Sequence, residues 1–320
     1  MKGEWSEVRV AVQMSIANRA RHRSRPLLQR ALIDCGLTAG RAVRTLGFVL
    51  IHRIRPVSPA LAPHVEHLWV ARGYLPVRWC NMILPDGAME LIINLGDPQR
   101  LCARDNPAKH TIFRHSWISG ERTAPIVIDE ISYVHLVGVR LRAGGAWPFL
   151  GIPLREFTDQ VVELETIFGR KINDLRDQLG EAPDDDSRFD LLESWLIQRA
   201  RSRTQPTRSV NYALRIIYGG LDAVRIGKIA GTIGISHKHL LREFDRCVGL
   251  TPKLFARLCA FQRVIRSVGQ KADVDWADTA ATCGYHDQAH LIHEFRAFSG
   301  LTPARYLTKR GPFLNYLEVE

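Results

Sequence analysis

The sequence predicts an α+β multidomain chain: a β-rich amino-terminal domain of the small barrel or sandwich-like kind, then an all-α carboxy-terminal domain built on a doubled helical hairpin. Three observations predict it. The stretch IGKIAGTIGISHKHLLREFDRCVGLTPKLF at 226–255 returns at 276–306 as WADTAATCGYHDQAHLIHEFRAFSGLTPARY. Short β-rich runs punctuated by Pro and Gly fill residues 64–146, the pattern of a small antiparallel fold. The net charge of +11 is also unevenly spread: residues 208–310 carry 16 Lys/Arg against 8 Asp/Glu, whereas 51–207 carry 19 against 20. At 320 residues the chain has room for more than one domain, each with its own core.

Residues 1–50 read as a basic extension, disordered or partly helical, with Arg19, Arg21, Arg23 and Arg25 in one short run. A helix candidate at 31–50 is interrupted by Gly36 and Gly40. A targeting segment and a nucleic-acid-touching arm are the other readings of that basic run. No apolar stretch nears the roughly 18 residues a membrane span needs, and no secretory signal is expected. Cys35, Cys80, Cys102, Cys247, Cys259 and Cys283 are scattered without a CxxC pair. Reduced thiols in a cytoplasm are therefore expected, in place of a disulfide framework or a zinc cluster.

A β-rich domain is placed at 51–150, with a regulatory role that only the chain's family resemblance implies. HVEHLWVARG (64–73), RWCNMILPDGAMELIINLGD (78–97), SWISGERTAPIVID (116–129) and SYVHLVGVRLRAGGA (132–146) read as strands and turns. Alternation is clearest in Met89–Leu95 and Val134–Leu141, so one face of each is buried. His64 and His67 stand at HxxH spacing without a third metal ligand. Trp69, Trp79, Trp117 and Trp147 are pocket-wall or core residues. Arg140 and Arg142 share one side of a strand and suit an anionic effector or a solvated face. Asp86 and Glu90 are a candidate carboxylate pair, although the Pro85-Asp86-Gly87 turn accounts for Asp86 without chemistry.

Residues 151–207 read as a helical dimerisation or linker region. Apolar residues at three and four spacing predict helices over Phe157–Val162 and Leu164–Leu179. EAPDDD at 181–186 breaks the pattern, and Ser187–Arg199 resumes it. Periodicity is compatible with these helices packing back on the β domain, and dimerisation through them is what the chain's family resemblance implies. Polar, basic residues 200–209, with Pro206, read as a linker. A helix at Val210–Tyr218 then closes on Gly219-Gly220 and opens the all-α domain at 208–310, with 311–320 as a tail.

Within that domain the two copies align residue by residue. Ala230 and Ala280 are small where two helices must approach. Gly234 and Gly284 take the turn, where a residue without Cβ adopts positive φ cheaply. Ser236 and Asp287 are the N-caps of the second helices, and the second copy carries one extra residue after Gly284. Leu240 and Phe244, like Leu291 and Phe295, fall four apart and anchor those helices from beneath. The residues between them point outward, and two helix-turn-helix motifs result, a geometry whose second helix enters the DNA major groove. Thr251-Pro252 caps a connecting helix to about Val268, roughly 25 Å long.

These residues carry a family resemblance. Residues 208–308 resemble the DNA-binding domain of AraC-type (AraC/XylS) helix-turn-helix transcription regulators, above all in GYHDQAHLIHEFRAFSGLTP. The β-rich region resembles an amino-terminal domain found in a subset of them, through LPDGAMELIINLG, VGVRLRAGGA and FLGIPLREFTDQVVEL. The resemblance implies a bacterial, cytoplasmic, sequence-specific transcription factor that is not an enzyme and needs no cofactor or metal. By position, Lys238, Leu241 and Arg242 from the first reader, and Gln288, Ala289, His290 and His293 from the second, reach base edges. Arg242 suits guanine O6/N7 and Gln288 adenine N6/N7. His239, Arg246, Arg296 and Arg305 are the phosphate candidates. His293 departs from the family, which carries a longer basic or polar side chain there. The partners implied are double-stranded DNA, RNA polymerase, a second copy of the chain and an unidentified small-molecule effector, with no membrane.

Two other classes compete. A non-specific architectural DNA binder would share the basic charge but has no need of paired recognition helices. An enzyme finds little support: no phosphate loop, HExxH or nucleophile elbow is present. Cys80 or Cys102 as a nucleophile would resemble DNA-repair proteins with this DNA-binding domain, yet neither sits in a Pro-Cys-His context.

Overall fold

The computed structural model describes residues 6–12, 48–74, 79–103, 109–130, 133–200, 208–220, 226–269, 271, 273–311 and 313–319. Its alternating runs form two antiparallel sheets. The seven-stranded sheet has the order β1 (Ser6–Val12), β2 (Phe48–Arg55), β3 (Val65–Tyr74), β10 (Tyr133–Leu141), β5 (Met89–Asn94), β8 (Ser116–Ser119) and β11 (Val161–Glu163). The five-stranded sheet has the order β12 (Tyr316–Glu318), β4 (Trp79–Ile83), β9 (Ile126–Glu130), β6 (Gln99–Cys102) and β7 (His110–Phe113). A strand at Ser6–Val12 thus stands in the extension read as disordered or partly helical. Phe48–Leu50 belong to a strand, and the rest of the helix candidate at 31–50 lies outside the described residues.

Period-two patterning explains how the large sheet is shared between two cores. Met89, Leu91 and Ile93 of β5 turn to one face, with Leu68, Val70, Val137 and Val139. Trp69, Trp117, Val134 and Leu136 turn to the other, toward the small sheet, where Phe113 meets them. Gly138 lies directly opposite Trp69 in the β3–β10 register. A Cβ at Gly138 would sit 2.1 Å from the Trp69 ring, so the glycine gives the indole its place across the sheet.

On the first face lie α1 (Trp147–Leu150), a 3-10 turn at Leu154–Phe157, α2 (Leu164–Phe168), α3 (Lys171–Glu181) and α4 (Asp185–Ala200). Phe149, Leu175, Leu179, Phe189, Leu192 and Leu196 are buried in the same core as Leu68 and Val139. Of the two readings of these helices, the structure therefore has them packed back on the β domain. Buried Asp185 takes Arg53 and Arg188, and Glu193 takes Arg55 at 2.8 Å, fastening α4 to β2. The helix expected over Phe157–Val162 is not formed. Val161–Glu163 instead pairs with β8 as an edge strand, because β-branched Val161 and Val162 suit the pleat and the same apolar spacing fits either structure.

The carboxy-terminal helices are α5 (Arg208–Tyr218), α6 (Ile226–Ile233), α7 (His237–Val248), α8 (Pro252–Val268), α9 (Trp276–Thr282), α10 (Gln288–Ser299) and α11 (Pro303–Lys309). The linker at 201–207 lies outside the described residues. Central α8 buries Phe255 against Phe244 of the first copy and Phe261 against Phe295 of the second, with ring centroids 5.9 and 5.0 Å apart. The segment read as a tail has a structural place. Beyond α11 the chain returns to the β domain, where β12 pairs antiparallel with β4. Leu84 N donates to Asn315 O and Val319 N to Cys80 O, both at 2.9 Å. From α8, Gln262 Nε2 donates to Pro85 O at 2.8 Å and to Asn315 Oδ1 at 3.0 Å, so one amide ties connecting helix, β domain and chain end together.

Candidate nucleic-acid interface

Each copy makes the same turn by the same local chemistry. Gly234 and Gly284 have φ of +73° and +85°. Ile235 N donates to Ala230 O at 3.1 Å, and Tyr285 N to Ala280 O at 2.9 Å. These are the six-to-one bonds that end a helix on a left-handed glycine. Ser236 Oγ then accepts from His239 N to open α7, and Asp287 Oδ1 accepts from His290 N at 2.7 Å to open α10. The His290 amide, helped by His286, holds the Asp287 carboxyl below its ordinary value. His286 is the extra residue of the second copy. Ala230, Ala280, Leu240, Phe244, Leu291 and Phe295 are all buried.

The outward positions divide into open and engaged. Lys238 and Arg242 are exposed on α7, Arg242 Nη2 lying 3.1 Å from His239 Nδ1, while Leu241 and His239 are half-buried. On α10, Gln288, Ala289, His290 and His293 are exposed. His290 is folded back, however: its ring meets Tyr285 edge-on at 5.3 Å and its Nδ1 accepts from His286 N. Among the phosphate candidates Arg296 and Arg305 are exposed. Arg246 is engaged by the fold, with Nη2 2.7 Å from Glu243 Oε2 and its guanidinium 4.5 Å over the Trp147 ring.

Two supports for the readers were not visible in the sequence. Arg257, on α8, donates from Nε and Nη2 to both carboxylate oxygens of Glu294 at 2.6 and 3.0 Å. This fork fixes the second recognition helix to the connecting helix. Arg263 Nη2 adds a bond to Cys283 O at 3.2 Å, in the second turn. Spacing offered no clue to the fork, since the partners lie on different helices. The first recognition helix is steadied from the β domain instead. Thr158 Oγ1 donates to Gly249 O at 2.6 Å, Arg155 lies 3.5 Å from Asp245, and Trp147 underlies Arg246.

The candidates in the β domain have other fates. Arg140 Nη1 sits 2.7 Å from Asp86 and 3.1 Å from Glu90, and Nε 3.1 Å from Glu66. Its charge is taken by the protein's own carboxylates, which overturns it as an anion site. Arg142 Nε donates to Ala62 O. Among the described residues no cluster of three or more His, Cys, Asp or Glu sits as metal ligands do. His64 stands edge-on to Phe149, and burial pulls His67 down to about 4. Trp69 and Trp117 line a cavity between the sheets, whereas Trp79's side chain lies outside the described residues. Among the described cysteines, Cys102, Cys259 and Cys283 are free thiols. Burial and Asp129 push the Cys102 thiol up, which disfavours the thiolate a nucleophile requires. No described helix is long and apolar enough to cross a membrane.

Residues 229–309 match a family described as a helix-turn-helix domain, and residues 52–163 match a domain of unknown function, DUF6597. No curated protein matches the chain. Among solved structures, ToxT from Vibrio cholerae is similar at 9% identity and a TM-score of 0.42, over 75% of this chain and 98% of its own. The carboxy-terminal domain of AraT, a response regulator from Geobacillus stearothermophilus, is similar at 16% identity and a TM-score of 0.31, over 33% and 89%. A DNA-binding transcriptional dual regulator from Escherichia coli K-12 shows 20% identity and a TM-score of 0.29, over 33% and 96%. Structural overlap this loose carries no argument. The repeated turn chemistry and the helix-turn-helix match carry it instead, and on them the chain is a DNA-binding transcription regulator whose carboxy-terminal residues 229–309 form a helix-turn-helix domain of the AraC type, beside a β-rich amino-terminal region.

Proposed function

We propose that the chain binds a two-block operator in the cytoplasm, each recognition helix reading one major groove on the same face of the duplex. The observation that supports this most is the doubled helix-turn-helix hinged on a single helix. At 1.5 Å per residue, the 17 residues of α8 span roughly 25 Å. That length suits readers placed near one helical repeat apart, about 34 Å. Arg242 and Lys238 serve the first block, with Gln288 and Ala289 at the start of the second helix and His293 a turn further on. Arg296 and Arg305 supply phosphate contacts. Arg246 and His290, being engaged within the fold, act through the helices they steady. The β domain with its helices to about residue 200 is the regulatory unit, and a small molecule in its cavity is the signal. RNA polymerase and a second copy of the chain are the remaining partners in this reading.

Sequencing of fragments that the full chain retains from a random DNA pool at ~150 mM salt, near physiological ionic strength, tests it. Two conserved blocks about 10 base pairs apart are expected. Arg242→Ala should relax one block and Gln288→Ala the other, each by about 1–3 kcal/mol of discrimination. Retention without any motif would overturn the reading in favour of a backbone binder.

A further inference from the structure

Between the two sheets lies a cavity of about 120 Å3, near the ~150 Å3 of an engineered apolar cavity that holds one benzene ring. Most of its wall is apolar, led by Trp69, Ile92, Phe113, Trp117, Ile128 and Leu136. Four wall residues nonetheless present a buried polar atom without a hydrogen-bond partner among the described residues: Trp69 Nε1, Arg100 Nε, Arg122 Nε and Gln99 Oε1. Three are N–H donors and one is an acceptor, so the unmet capacity calls for a guest rich in acceptors.

Charge points the same way. Asp86 and Glu90, also in the wall, are both held by Arg140. Arg100 faces Asp129 at 3.6 Å. Arg122 has no carboxylate at ion-pair distance among the described residues, although it is only 8% exposed. Its Nη2 donates to Ser119 Oγ at 3.3 Å and Gln160 O at 3.5 Å. Asp159, which acts on it from further off, is already taken by Thr123 N and Oγ1. Burial pulls the Arg122 guanidinium down to about 10, as befits a cation short of a counter-charge. An apolar slot with one unpaired guanidinium in its wall is shaped for an anion on a small apolar body.

We propose that this cavity binds a compact organic monoanion, its carboxylate paired with Arg122 and an apolar body of about one six-membered ring lodged among Trp69, Phe113 and Trp117. The assignment rests on the reading of the β domain as the regulatory unit. Tyr316 of β12 completes the wall, so the guest touches the strand that follows the second reader.

Calorimetric titration of the full chain with cyclohexanecarboxylate, 3-methylbutanoate and their carboxamides, in the absence of DNA, tests the proposal. At least one acid is expected to bind at least tenfold more tightly than its amide. Arg122→Gln should abolish that preference while sparing the amide. Equal affinity for acid and amide, or no heat from any probe at millimolar concentration, would overturn it. If Arg122→Gln does not fold, the acid-to-amide ratio of the unaltered chain decides, with Arg122→Lys as the second variant. DNA affinity is measured separately with the acid present. An acid that binds yet leaves DNA affinity unchanged upholds the anion site and overturns the regulatory reading.

Discussion

The two GLTP segments invite a paired substitution, Gly249→Ala against Gly300→Ala. Both glycines end a recognition helix in the left-handed region, at φ of +92° and +73°, so each alanine incurs a similar backbone strain of about 1 kcal/mol. Their surroundings differ. A Cβ at Gly300 meets nothing within 4 Å, whereas at Gly249 it would lie 2.9 Å from Leu154 O, 3.1 Å from Leu154 C and 3.2 Å from Thr158 Oγ1. Two of these atoms are backbone, so the 3-10 turn of the β domain must back away. That retreat stretches the 2.6 Å bond from Thr158 Oγ1 to Gly249 O, worth about 1 kcal/mol, and loosens the packing of Trp147. Gly249→Ala should therefore cost about 3 kcal/mol and Gly300→Ala about 1 kcal/mol. Urea unfolding of the full chain, followed by tryptophan fluorescence, measures both. Costs equal within about 0.5 kcal/mol would refute the argument, because the shared strain would then be the whole effect.

Arg257→Ala should destabilise the chain by about 2 kcal/mol, since it removes two charge-assisted bonds from Glu294, itself only 9% exposed, though Arg257 is half in solvent. A double-mutant cycle with Glu294→Gln that shows no coupling would sink the fork as a support of the second reader. Stability should also pass through a maximum near pH 6. Burial holds His67 and His135 down to about 4. The unfolded chain therefore binds more protons below about 6.5, and stability falls as pH drops toward 4, by roughly 1–2 kcal/mol per histidine once solvent screening is allowed for. Glu121, 1% exposed with neither carboxylate oxygen partnered among the described residues, is raised to about 8 by burial. The fold keeps that proton where the unfolded chain has lost it, so stability falls as pH rises from about 4.5 to 8. Glu121→Gln should flatten the alkaline limb and steepen the acid limb above about pH 4.5; an unchanged alkaline limb in pH-dependent denaturation would clear Glu121 of the role.

Local chemistry made the doubled motif legible. Gly234, Gly284, Ser236 and Asp287 act within a few residues of themselves, and their roles are written in residue type. Contacts between distant parts left no such mark. Gly249 and Gly300 stand in identical tetrapeptides, yet only one is pressed against another part of the protein. Arg140 shows a similar limit: strand alternation gave its face, but not that Glu66, Asp86 and Glu90 converge there. Val161 and Val162 were misread because apolar residues three and four apart suit a helix and an edge strand alike. For the candidate base readers, residue type and spacing gave position alone. Most prove exposed, but the folding back of His290 depends on the ring of Tyr285, which spacing does not show.

The pairing of β12 with β4 bears on how the molecule comes into being. A ribosome releases the amino-terminal strands first, and β4 then waits with one row of amides and carbonyls unpaired while every DNA-reading helix is made. The β domain is completed by residues that emerge only after both readers. Until then its open edge is a template for strands of other nascent chains. Closure of that edge reports that both readers have been synthesised, so the chain carries in its topology a check that they are present.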